Sequence, residues 1–555
     1  MDNTQLPTRG GLFNIALPIT LAVLLAHSVY VLVIGISQPI SDLHAFRQGH
    51  TALSAYWLWR GGPWFAYETP VLGAPWSVPL ELPIYEGLVA ILRALGIPII
   101  IGGRLVSFSF FLALLWPTWV LFQRFNLGRA AYLAATALLL ASPLYLFWSR
   151  TVLIESCALF FSVAWLACLS ALLVRPGLGL LALTLIVGMA AVNAKVTTFV
   201  PFGMLGAGLI VHALLESRRK APPHSAARVL GLGTAAGGIP FLSGIAWNLY
   251  SETLRKRNPL GLELSYMLGK WNFGTWMQRT SGDLWWNLVG RRMLPETLGS
   301  VTILALALIG VALVSRRFRW PAAILIAGFL VPLLVFTNLH IVHDYYQYEN
   351  AAFMIAAVGL GIATLATAGL SRAALFALVV LVGGELVYYY QRFAPFVTRD
   401  YSHARGVLVA SIVKRVTTPD ESILIIGDDW SSEIPFYSER RALALPSWAS
   451  FQTVSRVLQS PQQMLGSARL GAVVYCPGSL GSYGASAEPI RTFASQRREM
   501  GYALGCTVLR PDAEPSRPAQ VPASPPTAVK KAAGCSYPSD VRRGPAAGNG
   551  EAADE

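Results

Sequence analysis

Charge is what this 555-residue chain has least of: 13% of its residues are Asp, Glu, Lys or Arg, against roughly 25% in ordinary globular domains. With 54% hydrophobic residues, there is too little polar material to give most of the length a water-facing surface. Cysteine is scarce too. The five cysteines are scattered, Cys157 and Cys168 fall inside apolar runs, and no CxxC pair is present to hold a metal. Cys476 and Cys506 can pair if the C-terminal region faces an oxidising compartment. The first apolar run, residues 12–36, is too long for the core of a signal peptide and lacks its small-residue cleavage pattern. It reads as a first membrane helix.

Apolar windows of about 20 residues, enough to cross a bilayer, recur as far as residue 391. Eleven spans are expected, at 13–36, 103–122, 129–147, 154–174, 177–193, 197–215, 229–250, 298–314, 320–338, 351–369 and 373–391. The fold class is thus a polytopic α-helical membrane protein. A net charge of +14 would suit nucleic acid in a soluble chain. Here much of it sits in short loops, so it reports orientation, and membrane lipids are expected as partners with no nucleic acid.

The loops holding Arg124 and Arg129, Arg175, Arg218 to Lys220 with Arg228, Arg316 to Arg319, and Arg372 alternate correctly to share one side. By the positive-inside rule that side is the cytoplasm. One loop disagrees. Residues 251–297 fall outside yet carry Arg255-Lys256-Arg257 and Arg291-Arg292. Either the span count is off by one or those charges face an anion. The apolar run Leu88 to Ile101, interrupted by Arg93, Gly96 and Pro98, is read as a helix lying in the interface, since a span there would place the basic loops outside.

The outer side then receives residues 37–102, residues 251–297, and everything after 392. Residues 422–427 and 471–475 read as short buried strands between helical segments at 402–416 and 450–465. A small extracytoplasmic α/β domain over 392–512 is expected. The Pro-, Ala- and Ser-rich tail, 513–555, should be disordered.

Polar residues gather after the first span, in Ser41-Asp-Leu-His-Ala-Phe-Arg-Gln-Gly-His-Thr-Ala. Residues 44–60 have helical period, with His44, Arg47, Thr51 and Ser54 on one face and Phe46, Leu53 and Trp57 on the other. This suits a helix on the outer membrane surface with its polar side toward a cavity, or a plain interfacial anchor. Asp42 suits a general base or a helix N-cap, roles that are compatible. Four prolines between residues 70 and 83 impose a loop, and Glu81 behind them is a candidate site acid or a cap. Arg150 and Glu155, on the outer loop 148–156, can pair with each other. Lys195 also lies on the outer side, where it would otherwise snorkel.

The loop 338–349 is dense in hydrogen-bonding groups, among them His340, His343, Asp344, Tyr345 and Tyr346. Two histidines raise the question of a metal, but no third ligand has compelling spacing. No cofactor is expected, with a divalent cation as the lesser alternative. Trp271, Trp276, Trp285 and Trp286 either stack on sugars or anchor at headgroups.

Taken in order, these elements resemble the lipid-dependent glycosyltransferases of the GT-C fold, in the group containing the aminoarabinose transferase of lipid A and related to the protein O-mannosyltransferases. The resemblance covers residues 13–391. It rests on Asp42 after the first span, Arg47-Gln48, Thr51-Ala52, the Pro-Leu-Glu-Leu-Pro-Ile-Tyr element at 79–85, Leu95-Gly96, Arg104, Ser142-Pro143, Arg150-Thr151, Glu155, Ala194-Lys195 and His343-Asp344-Tyr345-Tyr346. It departs where the family often has two adjacent acids, since Leu43 and His44 follow Asp42, and Glu155 stands where Asp is common.

The resemblance implies a multi-pass protein of the bacterial inner membrane with an extracytoplasmic active site. A monosaccharide would pass from a polyprenyl-phosphate donor to a lipid, glycan or protein acceptor by inverting displacement. Asp42 would be the base, Arg47, Arg150, Lys195 and His343 would stabilise the leaving phosphate, and Glu155 would orient the cations. His44, Gln48, Glu81, Tyr345 and Tyr346 complete the expected substrate site. A flippase would need ionisable groups at mid-span and internal repeats; polar residues here gather on one face, and no convincing repeat is found. An oligosaccharide ligase or polymerase shares the same geometry.

Overall fold

The computed structural model describes residues 11–219 and 226–513. Seven of its helices are long and apolar enough to cross a membrane: Ala16–Ile34, Ile99–Arg124, Glu155–Leu172, Val196–Ser217, Ala226–Arg255, Gln347–Thr367 and Ser371–Arg392. The pair Asp283–Leu298 and Thr302–Val314 makes an eighth if counted as one broken span. Shorter apolar helices fill Arg129–Ala141, Leu178–Ala194 and Arg319–Val335. The protein is a multi-pass membrane protein.

Two helices form the centre of the bundle: Glu155–Leu172 is 83% buried and Gln347–Thr367 72%, against 22% for Ala226–Arg255. Close contact in a bilayer needs small residues, because lipid offers no hydrophobic drive for helices to associate. A Cβ on Gly361 would stand 2.2 Å from the Leu308 carbonyl oxygen, so only glycine allows the central helix to seat there. The broken pair bends by 88°. Gly299 makes the bend at a positive φ of 74°, and its backbone lies too near Glu385 for any side chain.

One end of the bundle collects the basic loops. Arg317 donates to the Asn126 carbonyl at 2.8 Å, and Arg124 donates to the Ser170 carbonyl at 2.8 Å. Three loops predicted to share a side are thereby tied together. The Arg218–Lys220 part of the expected basic loop reaches into residues outside the described ones.

The opposite end is capped by a five-stranded sheet, β1 Glu421–Ile426, β2 Ala442–Leu445, β3 Arg469–Tyr475, β4 Arg497–Ala503 and β5 Cys506–Ala513, in the order β2-β1-β3-β5-β4. The first three strands in that order are parallel, and β5 runs antiparallel to β3 and β4. Strand residues alternate between faces. Leu424, Ile426, Leu443, Leu445 and Val473 join the core of the outer loops. Ile423, Ile425, Ala442, Ala444 and Val474 pack with Val409 and Val413 of the helix Arg405–Val416. Burial on both faces explains why β1 reads as an unbroken apolar run. Cys476 and Cys506 form a disulfide.

The free edge of β2 is covered by the proline-rich loop. Ala442 N–H donates to the Pro70 carbonyl at 2.9 Å and Ala444 N–H to that of Val71 at 2.7 Å, while Gly73 N–H donates to the Ala442 carbonyl at 3.1 Å. An exposed strand edge is thus removed, and residues 392–513 share a core with residues 37–102.

Several local expectations change. The helix at 44–60 is Ala45–Trp59, and it is no surface helix: it packs between the helices Ile84–Ala94 and Glu433–Ser438, with Thr51 and Ser54 buried. Ser54 bonds the Thr69 hydroxyl at 2.6 Å instead of facing a cavity. The helical segment at 450–465 stops at Gln459, and Pro461 starts a 3₁₀ turn to Met464. Leu88–Ile101 splits into the helix Ile84–Ala94 and the start of the next span at Ile99 after Pro98. The tail from 514 lies outside the described residues.

If the end of the bundle capped by the sheet lies on one side of the membrane, Arg60 and Ser482 share that side and Arg372 lies on the other. In a Cys535→Ser background, an impermeant maleimide should label Arg60→Cys and Ser482→Cys from the same side and Arg372→Cys only from the opposite one. Labelling of Ser482→Cys together with Arg372→Cys would contradict the arrangement.

Candidate functional site

Between bundle and sheet lies a cavity of about 550 Å³. Its lining draws His44, Phe46 and Arg47 from the start of the Ala45–Trp59 helix, Leu80 and Glu81 from the proline-rich loop, and Lys195 to Thr197 from a helix junction. The helix Ala226–Arg255 adds Arg255, the helix Pro259–Phe273 adds Trp271, and the 343–346 loop adds His343, Tyr345 and Tyr346. Asp429, Trp430 and Trp448 close it from the sheet.

Polar groups here are paired across long sequence distances. Arg47 donates through one nitrogen to both oxygens of Glu81, each at 2.8 Å. Lys195 donates to Glu155 at 2.9 Å and stands 3.9 Å from Glu349, with its ammonium 3.7 Å from the Tyr346 ring centre. His44 Nε2 lies 2.5 Å from Asp344 Oδ1. The His44 residue holds a left-handed backbone, φ 51°, a conformation uncommon for residues other than glycine and concentrated at functional sites. That conformation turns its ring toward Tyr345 and His343, at 4.9 and 5.5 Å.

Two groups of the 343–346 loop have fixed protonation at neutral pH. Burial, then the facing His44, pushes His343 down to about 3, so it is neutral. Burial alone would raise Asp344, but the facing His44, Arg292 and a backbone hydrogen bond together bring the net value down to about 2, leaving the carboxylate ionised.

Asp42 is placed differently from the cavity residues. Its side chain is 1% exposed and absent from the lining. It accepts from Gln48 Nε2 at 2.5 Å and from Arg150 at 3.4 Å, so it caps no helix. Gln48 Oε1 in turn accepts from Val152 N–H at 3.1 Å, clipping the first outer loop to the loop that carries Arg150. The local Arg150–Glu155 pair is replaced by Asp42–Arg150 and Lys195–Glu155. Lys195 does not snorkel: it is 3% exposed.

Of the sequence candidates, His44, Arg47, Glu81, Lys195, His343, Tyr345 and Tyr346 meet at the cavity, while Asp42, Gln48, Arg150 and Glu155 form the buried support around it. Trp271 lines the cavity; Trp276, Trp285 and Trp286 are exposed on the surface. Among the described residues no group of three or more His, Cys, Asp or Glu could hold a metal ion.

Arg255, one of the basic charges that broke the orientation pattern and were expected to face an anion if the span count held, lies at the cavity. Its guanidinium donates to neutral oxygens, Pro79 O at 2.6 Å and Ser251 Oγ at 3.1 Å, and it lines the cavity. The basic loop that broke the orientation pattern thereby brings a cation to the site. Arg292 is used structurally, donating to the His340 carbonyl at 2.7 Å. Asp429, Trp430 and Trp448 were missed, although Gly-Asp-Asp-Trp at the end of a buried parallel strand marks the strand end where ligands collect in α/β sheets.

This membrane bundle, with a polar chamber built by the loops at one end, has the GT-C fold. It is similar to the structure of ArnT from Cupriavidus metallidurans bound to undecaprenyl phosphate, with a TM-score of 0.56 and 14% identity over 89% of this chain and 99% of that one. It is also similar to the archaeal oligosaccharyltransferase AglB from Archaeoglobus fulgidus, in complex with an inhibitory peptide and a dolichol-phosphate, with a TM-score of 0.50 and 11% identity over 82% of this chain and 69% of that one. No family model and no curated protein sequence matches the chain.

One ammonium between two buried carboxylates gives an asymmetric prediction. Lys195→Met leaves both acids without their cation and should cost about 3–5 kcal/mol, the range for breaking a buried pair. Glu155→Gln leaves Glu349 to hold Lys195 and should cost clearly less. Thermal unfolding of the purified variants measures both; equal losses would contradict the shared-cation arrangement.

Proposed function

We propose that this protein is a membrane glycosyltransferase that moves a monosaccharide from a polyprenyl-phosphate donor to a lipid, glycan or protein acceptor on the extracytoplasmic face. Eleven crossings, with the chamber and the sheet outside the cytoplasmic membrane, complete the reading. The observation that carries it is the chamber itself: cations with aromatic walls, continuous with an apolar groove that opens between membrane helices. That groove, about 270 Å³, is lined by Val192, Val196, Phe241, Ile245, Trp247 and Leu249, and shares Leu80, Glu81, Val196 and Asn248 with the chamber.

The donor's isoprenoid chain would lie in the groove with its phosphate beside Arg255, the cavity cation held through neutral oxygens. Arg47 and Lys195 flank it, held by Glu81 and by Glu155 with Glu349. A guanidinium is well matched to phosphate oxygens, and fixed donors aimed at the leaving group are worth more in a chamber shielded from bulk water. The acceptor oxygen attacks the anomeric carbon from the face opposite the phosphate. The new glycosidic C–O bond forms as the C–O bond to phosphate breaks, the electron pair leaves on the polyprenyl phosphate, and the acceptor proton passes to a carboxylate. The leaving phosphate needs charge stabilisation and no acid.

We assign that carboxylate to Asp42, as the resemblance implies, with Gln48 and Arg150 holding it in place. A second assignment, Glu81, is favoured by exposure: the Glu81 side chain is 22% exposed and lines the cavity, against 1% for Asp42. Purified protein and a panel of radiolabelled undecaprenyl-phosphate sugars carrying glucose, mannose or arabinose separate the two. Asp42→Asn should lower transfer at saturating donor by about 10²–10⁴-fold, the range for a lost general base, with donor KM little changed. Glu81→Gln, which frees Arg47, should chiefly change KM. Full transfer by Asp42→Asn would move the base to Glu81, and no transfer by the wild-type protein from any donor would overturn the glycosyltransferase reading.

A further inference from the structure

We propose that the carboxyl edge of the sheet forms a carbohydrate subsite for the acceptor, built from Asp429, Trp430 and Trp448. This rests on the glycosyltransferase reading and deepens it: the acceptor presents a sugar ring at the point of attack.

Strands β1 and β2 are parallel neighbours and end side by side, with Ile426 opposite Leu445. The residues that follow them therefore emerge together at one edge, the position at which open α/β sheets bind ligands. Tyr483 locks the two exits together, because its hydroxyl accepts from Gly427 N–H at 3.0 Å and donates to the Leu445 carbonyl at 2.6 Å. The loop carrying Trp448 is held from the other side. Glu263, on the helix Pro259–Phe273, accepts from Ser450 N–H and Oγ, both at 2.9 Å, and from Thr453 Oγ1 at 2.7 Å.

The edge is thus rigid, and its three side chains face the chamber. Trp430 is wedged against Phe46 and His50, with ring centres at 5.2 and 5.7 Å. Trp448 stands nearly perpendicular to it, 6.5 Å away at 82°. Two indoles at right angles make an apolar corner. Asp428 is occupied by Arg405, whereas Asp429 turns away at a left-handed φ of 51° and is exposed at the chamber.

A sugar ring has the complementary surface. Its C–H faces lie flat on indole rings, and its hydroxyls donate to a carboxylate in strong charge-assisted bonds. The phosphate-compatible cations Arg47, Lys195 and Arg255 sit on the loops and helix ends below, where the apolar groove enters. Inverting transfer requires the acceptor and the phosphate on opposite sides of the anomeric carbon. With the donor entering from the groove, the sheet edge falls to the acceptor.

Two reactions of the same enzyme test this: transfer of label from the undecaprenyl-phosphate sugars to acceptors present in native membranes, and slow hydrolysis of the same donors by the purified protein with water as acceptor. Asp429→Asn keeps the shape and suits a left-handed backbone, and Trp448→Ala removes one wall of the corner. Each should cut transfer at least tenfold while hydrolysis and the KM for donor stay within twofold, with unfolding temperatures unchanged. Parallel loss of both reactions would assign the edge to the donor's sugar and overturn the proposal. Unchanged transfer in both variants would overturn it too. A wild-type protein that neither transfers nor hydrolyses would instead remove the reading on which the proposal stands.

Discussion

A buried ionised side chain needs a compensating partner, and that requirement organises the sheet end of this protein. Asp42 reaches Arg150, Arg47 reaches Glu81, His44 reaches Asp344, and Lys195 is held by Glu155 and Glu349. Each pair joins segments far apart in the chain. The first outer loop is thereby fixed to the proline-rich loop, to the 149–154 turn and to the 343–346 loop. Buried ion pairs are poor sources of net stability, because desolvation offsets most of the Coulombic gain. Keeping so many of them around one chamber is better explained by chemistry than by folding energy.

The sheet completes what the ion pairs begin. Its β2 edge bonds the 70–73 segment, Ile40 N–H donates to the Tyr437 hydroxyl at 2.7 Å, and Glu68 accepts from Arg441 at 2.8 Å. One sheet face belongs to the same apolar core as the Ala45–Trp59 helix. The chamber therefore has a bundle side of paired cations and carboxylates with Arg255, and a sheet side with Asp429 and two indoles.

Much of this was legible in the sequence, because hydrophobic runs and loop charges obey strong constraints. The seven long spans and the clustering of arginines at one end follow from bilayer thickness and charge placement alone. Seven of the expected site residues line the cavity, and they stood out because polar groups next to spans are costly and therefore conspicuous. Partner choice was not legible. Arg150 and Glu155 are close in sequence, yet each bonds a residue from another loop, since tertiary packing decides which charges meet. The same holds for the Ala45–Trp59 helix, whose periodicity suggested a surface helix until the sheet covered it. Asp429, Trp430 and Trp448 escaped notice because nothing in the sequence says which edge of the sheet meets the membrane domain.

The central claim is that the chamber and its groove hold a polyprenyl phosphate, and a cryo-EM structure of the protein in lipid nanodiscs with undecaprenyl phosphate tests it most directly. The account predicts phosphate density within hydrogen-bonding reach of Arg255 and the chain running past Val196 and Phe241. Density for the lipid elsewhere on the bundle, with the chamber filled only by water, would contradict it.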